Sequence, residues 1–203
     1  MGDVTESGQN RNHGNRYGRS ENARRAVLHA VDDLLVEVGF ARLTMEGIAA
    51  KAGVGKQTVY RWWPSKVDIL LEALGDDLAE ELAPPDTGDL RADLRAHLAA
   101  VASFLTIADA GAMFRTLLGQ AQHDADLARQ LREEHLRGQH ARDRLPLERA
   151  VARGELPPDT DLDSAVEQLV GPIHYRVLVT GAPVPPEFTD ELVERYLREH
   201  PRG

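Results

Sequence analysis

Residues 56–66 read Lys-Gln-Thr-Val-Tyr-Arg-Trp-Trp-Pro-Ser-Lys, a run that crowds cations, an amide, hydroxyls and indoles together. On a helix, Lys56, Gln57, Thr58, Tyr60 and Arg61 form a polar set suited to the phosphates and base edges of a DNA major groove. Two other clusters carry metal-ligating types: His123, Asp124 and Asp126, and Glu133, Glu134, His135 and His140. Neither has a recognised catalytic spacing, since there is no His-Glu-x-x-His and no helix pair bearing Glu-x-x-His. Both lie among Arg, Asp and Gln, as on a solvated helix face. Gly53-Val-Gly-Lys56 lacks the spacing and the preceding strand of a phosphate-binding loop. The absence of cysteine excludes thiol catalysis, disulfides and Cys-ligated metal. No catalytic residue, metal site or cofactor is therefore expected, and the chain does not read as an enzyme.

The polar set needs a scaffold, and residues 44–63 have helix-turn-helix spacing. Two short helices crossing steeply need a small residue where they touch, which Ala49 supplies. The turn between them needs a residue able to take positive φ, which Gly53 supplies. Ile48, Val54 and Val59 close the wedge, and Val59 and Trp63 should be buried. Thr44 is placed to cap the first short helix, with Glu46 near its positive end. Pro64 stops the second, and Ser65 with Asp68 forms a capping box for the next.

Upstream, Val27, Val31, Leu34, Leu35 and Val38 make one helical stripe, with Ser20 as N-cap and Gly39 as stop. Residues 1–18 read as a disordered tail. Arg11, Arg16 and Arg19 could form an arm along the minor groove, and an arm without a specific role is an equal reading. Downstream of a helix ending near Leu82, Pro84-Pro85-Asp-Thr-Gly88 is a break. Helices are then expected at about 89–107, 110–122, 125–152, 161–180 and 187–199, with a bend or split at Pro146. No strand or repeat emerges. The expected fold is all-α.

The net charge of −9 would ordinarily argue against nucleic acid as a partner. Its distribution removes the objection. Residues 11–66 hold ten Lys/Arg against five Asp/Glu, whereas residues 67–203 hold fourteen against twenty-six. All three lysines (Lys51, Lys56 and Lys66) lie in the basic part. Lys51 reads as a solvated helix charge. With no apolar run of about 18 residues and no signal-peptide pattern in the polar first 22, a cytoplasmic protein without a membrane partner is expected.

The run Leu43-Thr-Met-Glu-Gly-Ile-Ala-Ala-Lys-Ala-Gly-Val-Gly-Lys-Gln-Thr-Val-Tyr-Arg-Trp-Trp-Pro-Ser-Lys66 resembles the DNA-binding domain of TetR-type (TetR/AcrR) bacterial transcriptional regulators. The resemblance covers about residues 21–71 without insertion. It departs at Gly55, where Ser is usual, and at Trp63, where Phe is usual. It implies phosphate contacts for Thr44, Tyr60 and Lys66, with Trp62 flanking the backbone. Gln57 and Lys56 would reach base edges, and Thr58 a thymine methyl or a phosphate.

The resemblance also implies a tripartite chain: a tail (1–18), a three-helix DNA-binding domain (19–66) and a larger helical domain for effector binding and dimerisation (67–203). Broad apolar faces at Leu169, Ile173 and Val177, and at Phe188, Leu192 and Tyr196, suggest the homodimer interface. Phe104, Met113, Phe114, Leu117, His174 and Tyr175 are the candidate lining of an effector pocket, although for any one of them core packing is a better explanation than ligand contact. The expected function is a repressor that binds a palindromic double-stranded operator as a dimer and is released by a small molecule of unknown identity. A helical protein-interaction module and a metal-dependent enzyme are the competing readings; the first leaves the Lys and aromatic cluster at 51–66 unexplained.

Overall fold

In the computed structural model, residues 14–200 are described, and every regular element among them is helical. The chain divides into two compact units between Ile69 and Leu70. The first contains α1 (Gly14–Arg42), α2 (Met45–Ala52) and α3 (Lys56–Trp62), and α4 (Lys66–Glu81) runs across the dividing line. The second continues with α5 (Leu90–Thr106), α6 (Asp109–Ala121), α7 (Ala125–Gln130), α8 (Arg137–Arg153), α9 (Leu162–Tyr175) and α10 (Pro186–Glu199).

The first unit is built on the stripe expected of α1. Val27 and Val31 are fully buried, and α2 lies against α1 with Met45, Ile48 and Ala49 turned inward. Gly39 (φ 74°, ψ 164°) interrupts α1 near its end, as its place in the sequence predicts. The start differs from expectation. Helix already runs at Gly14, so Ser20 lies inside α1 and does not cap it. Residues 14–18 of the expected tail are helical, whereas residues 1–13, including Arg11, fall outside the described residues.

In the second unit α5 is the central helix, in contact with α6, α8, α9 and α10. Its repeat of buried Leu90, Leu94, Leu98, Val101 and Leu105 explains why it is covered on several sides. Between α5 and α6 the chain bends by 72°, and at the bend the backbones nearly touch. A Cβ on Gly111 would stand 1.8 Å from the Phe104 carbonyl oxygen, so only glycine fits there. Among the described residues no single helix is long and apolar enough to cross a membrane.

Two irregularities replace the single one expected. Pro146 does not split its helix; it is buried within an uninterrupted α8, where the carbonyl four residues earlier simply loses a partner. The departure from α-geometry comes earlier, as a π-helical stretch at Leu131–Leu136 between α7 and α8. It carries the buried His135, whose ring lies where a Cβ on Gly75 of α4 would be 3.3 Å away. A second π-helical turn, Arg176–Thr180, continues α9 to Gly181 (φ 64°).

Substituting Gly111→Ala should destabilise the second unit by about 3 kcal/mol, because a rigid carbonyl rather than a flexible side chain meets the new methyl. Chemical denaturation measures this, and an unchanged midpoint would contradict the close approach of α5 and α6.

Candidate nucleic-acid interface

The site starts from local backbone chemistry. Thr44 is extended (φ −132°, ψ 151°), and its hydroxyl accepts the Gly47 N–H at 3.1 Å, capping α2. Gly53 ends α2 in the left-handed region (φ 64°), and the Val54 N–H returns to the Ala49 carbonyl at 3.0 Å. Gly55 then opens α3 without a side-chain cap; its carbonyl still accepts the Thr58 and Val59 N–H groups. Val59, at 0% exposure, and Trp63, at 3%, anchor the inner side of α3. Beyond Pro64, Ser65 and Asp68 form the expected capping box, with the Ser65 N–H and hydroxyl both donating to the Asp68 carboxylate.

With its inner side anchored, α3 turns Lys56, Gln57, Tyr60 and Arg61 outward on one face. Thr58 and Trp62 are half-buried at the margins, and Thr44 is exposed at the start of α2. Arg61 lies over the Trp62 ring (5.8 Å), which meets Trp63 edge-on at 5.5 Å. The structure thus brings Lys56, Gln57, Tyr60 and Arg61 together.

The three lysines are less available than their positions suggest. Lys51 pairs with Glu37 (2.6 Å) and Asp33 (3.6 Å) of α1, and is not merely a solvated charge. Lys56 pairs with Glu46 of α2, which also accepts the Tyr60 hydroxyl at 3.4 Å. The hydrogen bond from Lys56 holds the Glu46 carboxyl below the usual carboxylate range, and Glu46 in turn raises the Lys56 ammonium.

Lys66 departs furthest from expectation. Its ammonium donates to the Phe40 and Leu43 carbonyls at 2.7 and 2.9 Å and sits 4.2 Å from the centre of the Phe40 ring. Partial burial lowers its pKa. Two of its three N–H groups are thereby engaged in tying α4 to the segment that joins α1 to α2. Sequence reasoning missed Glu46 and Phe40 as partners, because they lie ten and twenty-six residues from the lysines they hold.

In the second unit Phe104, Met113, Phe114 and Leu117 are all buried, with the Phe104 and Phe114 rings 6.2 Å apart. None of them lines the cleft at Asp89, Leu90, Arg91 and His200, the one at Arg129, Arg132 and His140, or the one between Gln168 and Arg195. His174 is half-buried, with Nδ1 3.2 Å from the Val170 carbonyl. Tyr175 is 59% exposed, unlike the four buried apolar residues expected beside it.

The expected dimer residues lie mostly inward. Leu169, Ile173, Leu192 and Tyr196 are buried within the chain itself, Val177 and Phe188 are half-buried, and Phe188 is covered by Arg176. The outer side of α9 and its π-helical end instead presents Tyr175, Leu178 and Val179. A polar group that the sequence did not signal lies in this unit. Buried His97 on α5 meets Asp143 of α8 at 2.9 Å, and Asp143 also accepts from Gln139 at 2.7 Å. His97 Nδ1 has no hydrogen-bond partner. Of the metal-like clusters, Asp124 caps α7 and Asp126 pairs with Arg129.

Residues 27–73 match the family described as "Bacterial regulatory proteins, tetR family", and residues 84–196 match "Tetracyclin repressor-like, C-terminal domain". The chain is 33% identical to the uncharacterised HTH-type transcriptional regulator YdeS of Bacillus subtilis, over 86% of this chain and 88% of that one. It is 29% identical to the DNA-binding transcriptional repressor TetR of Mycobacteroides abscessus, over 88% of this chain and 94% of that protein. The crystal structure of the TetR family transcription regulator SCO0332 superposes with a TM-score of 0.76 at 40% identity, covering 87% of this chain and 97% of that chain.

Lys66→Ala should cost about 1–3 kcal/mol of stability, through two lost charge-assisted hydrogen bonds and one cation–ring contact. Denaturation of the purified protein measures it. No loss would show that the tether contributes nothing.

Proposed function

Because the chain belongs to the TetR family and is therefore a DNA-binding transcriptional regulator and not an enzyme, we propose that it is a cytoplasmic repressor that binds a palindromic operator as a homodimer. The observation that carries the reading is the outer face of α3, where Lys56, Gln57, Tyr60 and Arg61 are exposed together above a buried Val59 and Trp63. Gln57 presents an amide that pairs bidentately with adenine, and Lys56 donates to guanine. Thr44, Tyr60 and Arg61 reach phosphates, as does Lys66 through its remaining N–H, while Thr58 and Trp62 border the groove. One helix of seven residues reads too few bases for genomic selectivity. Two copies about 34 Å apart read both halves of a palindrome.

The dimer surface we propose is the exposed outer side of α9 and its π-helical end, at Tyr175, Leu178 and Val179, together with Gln168, Pro172 and Arg195 along the groove beside α10. Three large apolar side chains exposed in sequence proximity support this placement better than the inward-facing residues do. The effector we propose is a largely apolar small molecule that enters the core around Phe104, Met113, Phe114 and Leu117, with the unpartnered His97 Nδ1 as acceptor for a donor group of that molecule. Release then follows from linkage: the effector lowers operator affinity only to the extent that it binds the DNA-incompetent conformation better.

Two measurements test this reading. Gln57→Ala should relax base preference at one symmetric pair of operator positions by about 1–3 kcal/mol, read in a selection from random duplexes. Unchanged preference would remove Gln57 from the contact set. A Leu178→Glu, Val179→Glu double variant should sediment as a monomer and lose operator binding at concentrations that saturate the parent protein. A dimer that persists would move the interface elsewhere.

A further inference from the structure

Glu46 holds two side chains of the outer face of α3. It lies in the first turn of α2, half-exposed, with a single carboxylate oxygen bonded by both the Lys56 ammonium and the Tyr60 hydroxyl. These are two of the groups that the outer face of α3 offers to DNA, and Lys56 leans over the Tyr60 ring as well (5.6 Å). A carboxylate oxygen resembles a phosphate oxygen in charge and in the donors it attracts. We infer that Glu46 is an internal stand-in for a DNA phosphate, competing with DNA for Lys56 and Tyr60 and thereby lowering the affinity of this protein for DNA of any sequence.

The competition has two parts. Lys56 must leave Glu46 before it can reach a phosphate or a base. Glu46, once left, remains close to the polyanion and repels it. The repulsion acts on any duplex, so operator and unrelated DNA are both weakened, and the competition for Lys56 adds to it wherever that side chain meets a phosphate or a guanine. The remaining lysines reinforce the point: Lys51 is engaged by Asp33 and Glu37, and Lys66 by two carbonyls. In the DNA-free protein all three lysine charges are satisfied internally.

The inference rests on α3 being the DNA-facing element, and the experiment separates the two. Glu46→Gln keeps size and hydrogen-bonding capacity while removing the charge. Binding of the full-length variant to an operator duplex and to an unrelated duplex, titrated at about 50 mM salt and upward, should tighten by about two- to fivefold per subunit for both. The gain should shrink as salt screens the pair, and it should be largely abolished in a Lys56→Ala background. Unchanged or weaker binding by Glu46→Gln would overturn the inference. So would an equal gain with and without Lys56, which would indicate bulk repulsion alone. If Lys56→Ala by itself left operator binding unaltered, the assignment of α3 to DNA would fall instead.

Discussion

A helix of seven residues cannot hold itself together in water, because nucleation costs more than its few hydrogen bonds return. The helix proposed to face DNA, α3, is such a helix, so it exists only because Val59 and Trp63 are buried in a unit whose core also takes in Ile48 and Ala49 of α2 and Val27 and Val31 of α1. That desolvated wedge is the constraint from which the rest of the interface follows. It sets the rotation of α3, and the rotation decides which side chains face outward. The left-handed Gly53, the caps at Thr44 and Ser65 and the stop at Pro64 fix where each segment begins and ends. A change in the wedge would disperse the polar face without touching any residue on it.

Charge is arranged around the same wedge. The basic first third of the chain contrasts with an acidic remainder, which suits a protein whose one end approaches a polyanion. The structure adds that the lysines in this region are not idle when DNA is absent. Glu37 and Asp33 hold Lys51 against α1, Phe40 and Leu43 hold Lys66, and Glu46 holds Lys56. Lys66 in particular serves the fold, since its ammonium satisfies two carbonyls that follow the break at Gly39. Cations that hold the scaffold and the cation proposed to meet DNA are thus drawn from one small set.

Element by element, the helical periodicity was legible. The expected segments from 89–107 onward fall within a residue or two of α5 to α10 with their π-helical extensions, because Leu and Val recur at helical spacing and Gly and Pro punctuate them. The Ser65–Asp68 box was legible for the same reason: it depends on four consecutive residues. Ser20 misled because a good capping residue signals a start only if nothing helical precedes it. Pro146 misled because burial in a packed helix tolerates one missing hydrogen bond, whereas the π-helical stretch at Leu131–Leu136 has no marker in composition. Leu169, Ile173, Leu192 and Tyr196 showed correctly as apolar faces; what they would face did not show.

By itself the sequence determined the helix-turn-helix, the all-helical class, the candidate DNA-facing residues and the separation of basic from acidic segments. All of these depend on residues within a few positions of one another, or on sums along the chain. Only the tertiary structure decided the pairing of Lys56 and Tyr60 with Glu46, the tether from Lys66 to Phe40 and Leu43, and the buried contact of His97 with Asp143. It also decided which apolar side chains fill the core of the second unit and which, like Tyr175 and Val179, remain outside. Partners ten to forty-six residues apart meet according to how helices cross and rotate, and that is set by packing of the whole unit, which leaves no local periodicity to read.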